Sequence, residues 1–431
     1  MASQTPEVVD IKLLLSRLWP LPAAGTPVAD DIADAIALFF TNQVSEAQAS
    51  ALLMCLHFTG LDRRADVMAA CAARMRKAAA RVDPAPLRKI AAEKSLKRGQ
   101  YSGGLCDIVG TGGDSHNTFN VSTASSIVAS AFLRMAKHGN RASTSKSGSA
   151  DLLANLKYPG EIDNETTDLV ANLNYIEPAT LPSIYSTTNY AFLFAPVFHP
   201  GMRFVAPIRK QLPWRTLFNL LGPLANPVDV LEDEPTDGSA KLPSPLEARV
   251  IGVARRELGP VFAEALRMTG ARKAMVVCGS EDLDEISIAG PTYCWWIHED
   301  ATGSVVIDHF QLNPADFGVT AHPLSDVSPG KSPAENAATM TSILQNQRPV
   351  DDPLLSFVFI NTAALMVVAG LPEDSTEGVT APEVISERGP GGGRWKEGVR
   401  LARLAVSSGE ARRQWKLFVE ATNQITPTEV L

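Results

Sequence analysis

Residues 107–126 read DIVGTGGDSHNTFNVSTASS. A short apolar run breaks into glycines at 110, 112 and 113, then an aspartate, then Asn-Val-Ser-Thr. A plain turn needs one glycine, so the excess asks for a second reason. The run CDIVG has the length and composition of a buried strand, and STASSIVASAFLRMA has the apolar spacing of a helix, with Ser122 or Thr123 placed to cap it. The glycines therefore stand between a strand end and a helix start. Backbone N–H groups lack intrachain partners there, and the helix dipole adds positive potential. Glycine also lets the main chain approach an anion closely, above all a phosphate. GTGGD has neither the Lys-Ser/Thr of the GxxxxGKS/T loop nor the spacing of GxGxxG. Taken alone, it is compatible with both a phosphate cradle and an ordinary tight turn.

Moving outward, the texture beyond Leu105 alternates short apolar runs (LCDIVG, FLRMAKHG, ARVIGV, AMVVCG) with helix-like segments, which predicts an α/β fold with a mostly parallel central sheet flanked by helices. Residues 5–97 carry helical spacing instead, as in Ile32, Ala35, Ile36, Phe39 and Phe40, and the segment around 197–228 is again helical. The expected organisation is a small N-terminal all-helical domain at 1–97, joined by the segment at 197–228. A larger α/β domain is expected from 98–196 and 229–431. The acidic, proline-rich run near 231–247 and the glycine cluster near 386–396 are expected to be surface insertions, and 322–336 a breaker-rich loop. GPGGGR at 389–394 is no phosphate loop, since no strand pattern leads into it.

Composition narrows the function. The 431 residues are 45% hydrophobic, enough for a sizeable core. The 39 basic and 47 acidic residues give a net charge of −8, which argues against nucleic acid as a partner. Five scattered cysteines without CxxC spacing suggest neither a zinc site nor a disulfide framework. The N-terminus has no leader-like layout, and Leu354 to Leu371 is interrupted by Ser356, Asn361 and Thr362, so it reads as a buried helix rather than a membrane span. A cytoplasmic protein with small-molecule partners is expected.

Three further stretches carry chemistry. FLRMAKHGNRASTSKSGSADLL repeats the strand, polar loop and helix-start layout, interleaving Lys137, His138, Asn140, Arg141 and Lys146 with Ser143, Ser145, Ser147 and Ser149. Two such loops at neighbouring strand ends would face one crevice. In GSEDLDEIS, Asp284 and Glu285 follow a strand-like run and are the right donors for magnesium, which commonly reaches a protein through one or two carboxylates plus substrate phosphates. In FHPGMRFVAPIRKQLPWRTLFNLLGPLANP, Arg209 and Arg215 lie beside apolar walls, suited either to an aromatic carboxylate or to interdomain salt bridges.

GTGGD, NVST, KHGNR, SGSADLL, LDEIS and RKQLPWRTLFNLLGPLANP together resemble the anthranilate phosphoribosyltransferases, over about residues 105–291 and more weakly toward both ends. The resemblance implies a homodimer formed through helices, a cleft between domains and a magnesium-dependent reaction. It assigns 5-phosphoribosyl 1-diphosphate to Gly110, Thr111, Gly112, Gly113, Asp114, Thr118, Asn120, Ser122, Thr123, Lys137 and Ser149. It assigns Mg2+ to Ser122, Asp284 and Glu285, and anthranilate to Gly110, His138, Asn140, His199, Arg209, Gly222 and Pro223. Lys137, Asp114 and Arg209 are the implied catalytic residues. The chain departs from the family pattern at Gly201, at Pro213 and in STTNYA, and the insertions resemble those of a eukaryotic, fungal-like version. A pyrimidine nucleoside phosphorylase-like enzyme, a non-catalytic nucleic-acid-binding relative and a transferase with another aromatic acceptor are the alternatives.

Overall fold

The computed structural model describes residues 7–23, 26, 28–93, 96–142, 147–162, 165–230, 243–328, 332–373 and 384–425. Ser143, Ser145 and Lys146 of the second loop lie outside the described residues, as do 231–242 of the first insertion.

Among the described residues there are nine strands: β1 Leu105–Gly110, β2 Arg134–Gly139, β3 Tyr158–Ile162, β4 Glu165–Leu169, β5 Tyr190–Phe194, β6 Leu246–Gly252, β7 Ala274–Gly279, β8 Thr292–Glu299 and β9 Val305–Leu312. Seven form one sheet in the order β5-β2-β1-β6-β7-β8-β9, while β3 and β4 pair separately. The first five of that order run parallel, and β8 and β9 add antiparallel strands at one side. The chain winds from β1 outward to β2 and β5, then returns to the other flank of β1 with β6. That reversal opens a crevice beyond the carboxyl ends of β1 and β6, the usual ligand position in such sheets.

The four predicted parallel strands are all present. The sequence reading missed β5, whose five residues are all buried and which, unlike β1, β2, β6 and β7, does not end in glycine. It also missed the β8-β9 hairpin. The predicted helix from Ser122 is shorter than expected, running Val121–Ala129 before the chain turns into β2 at Arg134. Its N-cap is Asn120, which makes no side-chain capping bond, so neither Ser122 nor Thr123 caps it.

The apolar helix Pro353–Ala369 is buried from Leu354 to Ala369, as a helix hydrophobic on every side must be. No described helix is long and apolar enough to cross a membrane. Its one amide has a use: Asn361 accepts from Ile286 N at 2.9 Å and donates to Ile286 O at 3.1 Å, holding the segment that follows Asp284 and Glu285.

Helices Lys12–Leu18, Ala29–Phe40, Glu46–Thr59, Ala65–Lys77 and Pro84–Glu93 occupy the N-terminal part, and Met202–Lys210 and Phe218–Leu221 return to it. Phe218 packs on Phe39 and Phe40 with ring centroids 5.8 and 6.0 Å away. Gly201 has a steric reason: a Cβ there would stand 2.7 Å from the Phe40 carbonyl oxygen. A buried ion cluster ties these helices to the sheet. Asp229 lies 3.0 Å from Arg249 and 3.7 Å from Arg76, whose guanidinium also donates to Leu224 O at 2.6 Å. Burial pushes the Asp229 carboxyl up, but Arg249 and Arg76 outweigh it and hold it below its ordinary range.

The second insertion is not wholly on the surface. Arg394 and Trp395 are buried; Arg394 donates to Ile385 O and Pro372 O, and Trp395 Nε1 to Pro390 O. The glycines are needed because the Trp395 ring fills the space a Cβ at Gly389 or Gly393 would take. The first insertion ends before Leu246, where β6 begins. The segment 322–336 is likewise no free loop, for a helix, Pro333–Leu344, starts inside it.

Candidate active site

GTGGD leaves the end of β1, with Thr111 N donating to Gly252 O at 3.0 Å, so the loop is pinned to the neighbouring β6. Gly112 and Gly113 take φ of +66° and +82°, conformations that favour glycine. Gly112 N donates to Asp284 Oδ2 at 2.6 Å. A side chain at Gly110 would overlap that same carboxylate, and one at Gly252 the Asp284 backbone. These glycines thus let the β7 loop close against the β1 loop. Of the loop amides, Gly112 is already engaged, whereas Gly113 N–H and Asp114 N–H have no hydrogen bond to a described residue.

Asp284 is buried and Glu285 half-buried. Burial first, then the nearby Asp114 carboxylate, pushes the Asp284 carboxyl up to about 7, with Gly112 N–H and Arg215 working against it. Burial, then Asp284 and Asp114, raises Glu285 well above the ordinary range, despite Thr118 and the Ser122 amide. Thr118 Oγ1 is 3.3 Å from Glu285 Oε2. Acidic groups crowded in this way favour a cation among them. Among the described residues no three His, Cys, Asp or Glu side chains converge as a full metal cage. A hard ion such as magnesium commonly takes one or two carboxylates and completes its shell with substrate oxygens.

The second wall comes from β2 and the loop and helix beyond it. Lys137 is 1% exposed, and its Nζ donates to His138 O at 3.0 Å. Burial lowers its pKa, and the Asp107 and Glu285 carboxylates oppose that. Asp107 is itself buried, bound by Asn226 Nδ2 at 2.8 Å and by His138 N at 3.4 Å. Thr123 Oγ1 meets Ser149 Oγ at 2.8 Å, joining the two helix starts, and Asn120 Nδ2 donates to Ser147 O at 2.8 Å. Asn140 O accepts from Ala150 N at 3.1 Å, which closes the second loop onto its helix.

His138 and His199 lie with ring centroids 5.1 Å apart. His199 Nε2 meets Ala225 O at 3.0 Å, and the Gly222 backbone lies close enough to the His138 ring to oppose the lowering of its pKa, which brings the Gly222-Pro223 turn to the same place. Burial lowers both imidazoles, His199 to about 4 and His138 well below the usual range with help from His199 and Lys137. Both rings are neutral at pH 7.

Arg209, half-buried on Met202–Lys210, makes no ion pair or side-chain hydrogen bond with a described residue. Burial and then Arg215 lower its pKa, whereas Arg215 itself lies within reach of the Asp284 and Asp114 carboxylates, which oppose the lowering that burial causes there. The salt-bridge alternative for Arg209 therefore finds no partner among the described residues. No described contact joins Arg209 to Asn140. Arg215 is the arginine that sequence reasoning placed too loosely: its Nη2 donates to Thr111 O at 3.0 Å, and a side chain at Gly113 would overlap its guanidinium. Asp107 and Asn226 were missed altogether. A carboxylate inside the apolar run CDIVG was the available signal for the first, since an unpaired charge is rarely buried there.

A helical bundle packed on a parallel sheet, with phosphate-suited loops facing an acidic pair, defines a class of group-transfer enzyme. The chain belongs to the glycosyl transferase family, matching its a/b domain over residues 102–234 and 238–412 and its helical bundle domain over 25–79. It is 41% identical over 319 residues to the anthranilate phosphoribosyltransferase of Schizosaccharomyces pombe, covering 74% of this chain and 75% of that protein. It is 33% identical over 395 residues to that of Herpetosiphon aurantiacus, covering 91% and 94%. Among solved structures it resembles the Saccharomyces cerevisiae anthranilate phosphoribosyltransferase in complex with PRPP and Mg, with TM-score 0.74, 29% identity, and 97% and 99% of the two chains covered. The same yeast enzyme in complex with 4-fluoroanthranilate superposes with TM-score 0.72 at 27% identity, covering 95% and 97%.

Proposed function

We propose that this chain is an anthranilate phosphoribosyltransferase, moving the 5-phosphoribosyl group from 5-phosphoribosyl 1-diphosphate to the amine of anthranilate with release of pyrophosphate. The observation that carries this reading is the closure of GTGGD on Asp284, which brings two loop amides without a described partner to the same side as the buried Asp284 and half-buried Glu285 carboxylates. The diphosphate substrate lies on Gly110 to Asp114, Thr118, Asn120, Ser122, Thr123 and Ser149. Asp284, Glu285 and Ser122 hold Mg2+, which supplies neutralisation of diphosphate charge. Anthranilate sits by Gly110, His138, Asn140, His199 and the Gly222-Pro223 turn, with its carboxylate on Arg209.

The C1–O bond breaks with its electron pair leaving on pyrophosphate as the amine lone pair forms the C1–N bond, through a transition state of oxocarbenium character like that of glycoside chemistry, and the nitrogen then gives up one proton to water. The Gly113 and Asp114 amides and the Lys137 ammonium bear on charge that grows on the leaving group. The neutral His138 and His199 rings wall the acceptor, and its aromatic amine, uncharged at neutral pH, needs no strong base to attack. Positioning and electrostatics supply the acceleration, without a covalent intermediate.

The domain boundaries at 97, 197 and 228 belong to the same reading, with the crevice between the two parts. A homodimer through the N-terminal helices is supported by their exposed apolar side chains, Leu13 at 83%, Trp19 at 67% and Phe58 at 63%. Five free cysteines accord with a reducing, cytoplasmic setting. The test is a fluorescence assay of anthranilate consumption with 5-phosphoribosyl 1-diphosphate and Mg2+, run beside thymidine phosphorolysis. Consumption that needs both additions is expected; phosphorolysis without anthranilate consumption would put the chain with the nucleoside phosphorylases.

A further inference from the structure

Asn336 is 4% exposed on helix Pro333–Leu344, in a stretch that reads as a surface loop by sequence. Its Nδ2 donates to Asn120 Oδ1 at 3.0 Å, across more than two hundred residues of chain. The orientation of both amides follows from one backbone group. Ser147 O can only accept, so Asn120 turns Nδ2 toward it, at 2.8 Å, and leaves Oδ1 facing Asn336. Asn336 must then present its own Nδ2. With Oδ1 and one N–H so committed, the second N–H of the Asn120 amide is the group left for a ligand.

Asn336 is not retained for packing. Its Oδ1 is buried with no partner among the described residues, a state that costs stability relative to an apolar side chain. Its position is instead fixed from two sides. Ser332 and Glu335 form a capping box at the start of the helix, with Glu335 N donating to Ser332 Oγ and Ser332 N to Glu335 Oε2 at 2.8 Å. A few residues earlier, Val327 O accepts from Phe119 N at 3.1 Å, tying the same segment to the residue before Asn120.

We infer that Asn336 is a positioning residue for the diphosphate substrate: it orients the Asn120 amide, and through Asn120 the loop at Ser147, so that one N–H of Asn120 faces a phosphate oxygen. The inference rests on the reading that Asn120 contacts 5-phosphoribosyl 1-diphosphate.

The test compares the full-length protein with Asn336→Ala, Asn336→Leu, Asn120→Ala and the Asn336→Ala/Asn120→Ala double variant. Michaelis constants for both substrates and melting temperatures are the readouts. Asn336→Ala and Asn336→Leu should each raise KM for 5-phosphoribosyl 1-diphosphate about tenfold and leave KM for anthranilate within about twofold. The double variant should be no worse than Asn120→Ala, because the effect passes through that amide. Asn336→Leu keeps the branched shape and removes the amide, so ordinary KM in that variant beside a raised KM in Asn336→Ala would reduce the residue to packing and overturn the inference. Full additivity in the double variant, or equal losses for both substrates, would overturn it as well. If Asn120→Ala itself leaves KM for the diphosphate substrate unchanged, the failure lies in the reading of Asn120 instead.

Discussion

Gly112 N–H reaches the Asp284 carboxylate at 2.6 Å, joining loops 172 residues apart in the chain. The contact makes the glycine loop and the acidic pair one unit: displacing either opens the other. It also divides the loop amides into Gly112, which holds the acidic pair, and Gly113 and Asp114, which stay available to an anion.

Gly113→Val should separate binding from folding. The backbone there has φ +82°, which costs a β-branched residue about 1–3 kcal/mol, and the new side chain displaces the Arg215 guanidinium. Calorimetry should show loss of affinity for 5-phosphoribosyl 1-diphosphate in a protein that still melts cooperatively. Undiminished affinity would remove the loop from the diphosphate site.

Asp284→Asn with Glu285→Gln should cut magnesium-dependent turnover by orders of magnitude without destabilising the metal-free protein. Burial and Asp114 raise Asp284 to about 7 from 3.8, so the folded state binds the proton more tightly than the unfolded chain. This contribution is full below 3.8 and is lost as pH rises toward 7. The melting temperature of Asp284→Asn relative to the parent should therefore climb from pH 5 to 7 and then level off. A difference that falls over this window would contradict the assignment of a raised carboxyl.

Arg209→Ala should act on one substrate. A charge-assisted contact in a partly dry site is worth about 2–4 kcal/mol, or roughly a 30- to 1,000-fold loss of kcat/KM for anthranilate. KM for the diphosphate substrate should stay within a fewfold, and the melting temperature should hold, since Arg209 has no described ion pair to lose. Equal losses on both substrates with a lower melting temperature would assign the residue to the scaffold.

Asn226→Ala should be a stability lesion with a catalytic consequence. It leaves Asp107 Oδ2 and Ala136 O, now satisfied at 2.8 and 2.9 Å, without a buried donor, at a cost of about 2–4 kcal/mol. Thermal melting measures the first effect. Turnover should fall too, because Asp107 lies under Lys137 and His138. An unchanged melting temperature would show that water replaces the amide.

Much of this fold was legible because its parallel strands are apolar runs that stop at glycine, and glycine at a strand end has few reasons to be there. The buried helix Pro353–Ala369 was legible from length and composition. β5 was not, since its apolar run leads into Ala195-Pro196 and not into the glycine that ends β1, β2, β6 and β7, and the β8-β9 hairpin was passed over. Within the site, GTGGD, Asp284 and Lys137 announce themselves by residue type beside a strand end. Arg215, Asn226 and Asn336 do not, and Asp107 does so only as a carboxylate inside an apolar run. Each acts through a partner 90 or more residues away, and sequence spacing carries no trace of such pairings.

The most direct test of the central claim, that one crevice holds diphosphate and metal between GTGGD and the acidic pair, is an anomalous-scattering map from crystals grown with 5-phosphoribosyl 1-diphosphate and Mn2+ in place of Mg2+. The account predicts a metal peak bonded to Asp284 and Glu285 and to the diphosphate, with that group on the Gly113 and Asp114 amides. A peak and diphosphate elsewhere, with this crevice filled only by water, would contradict it.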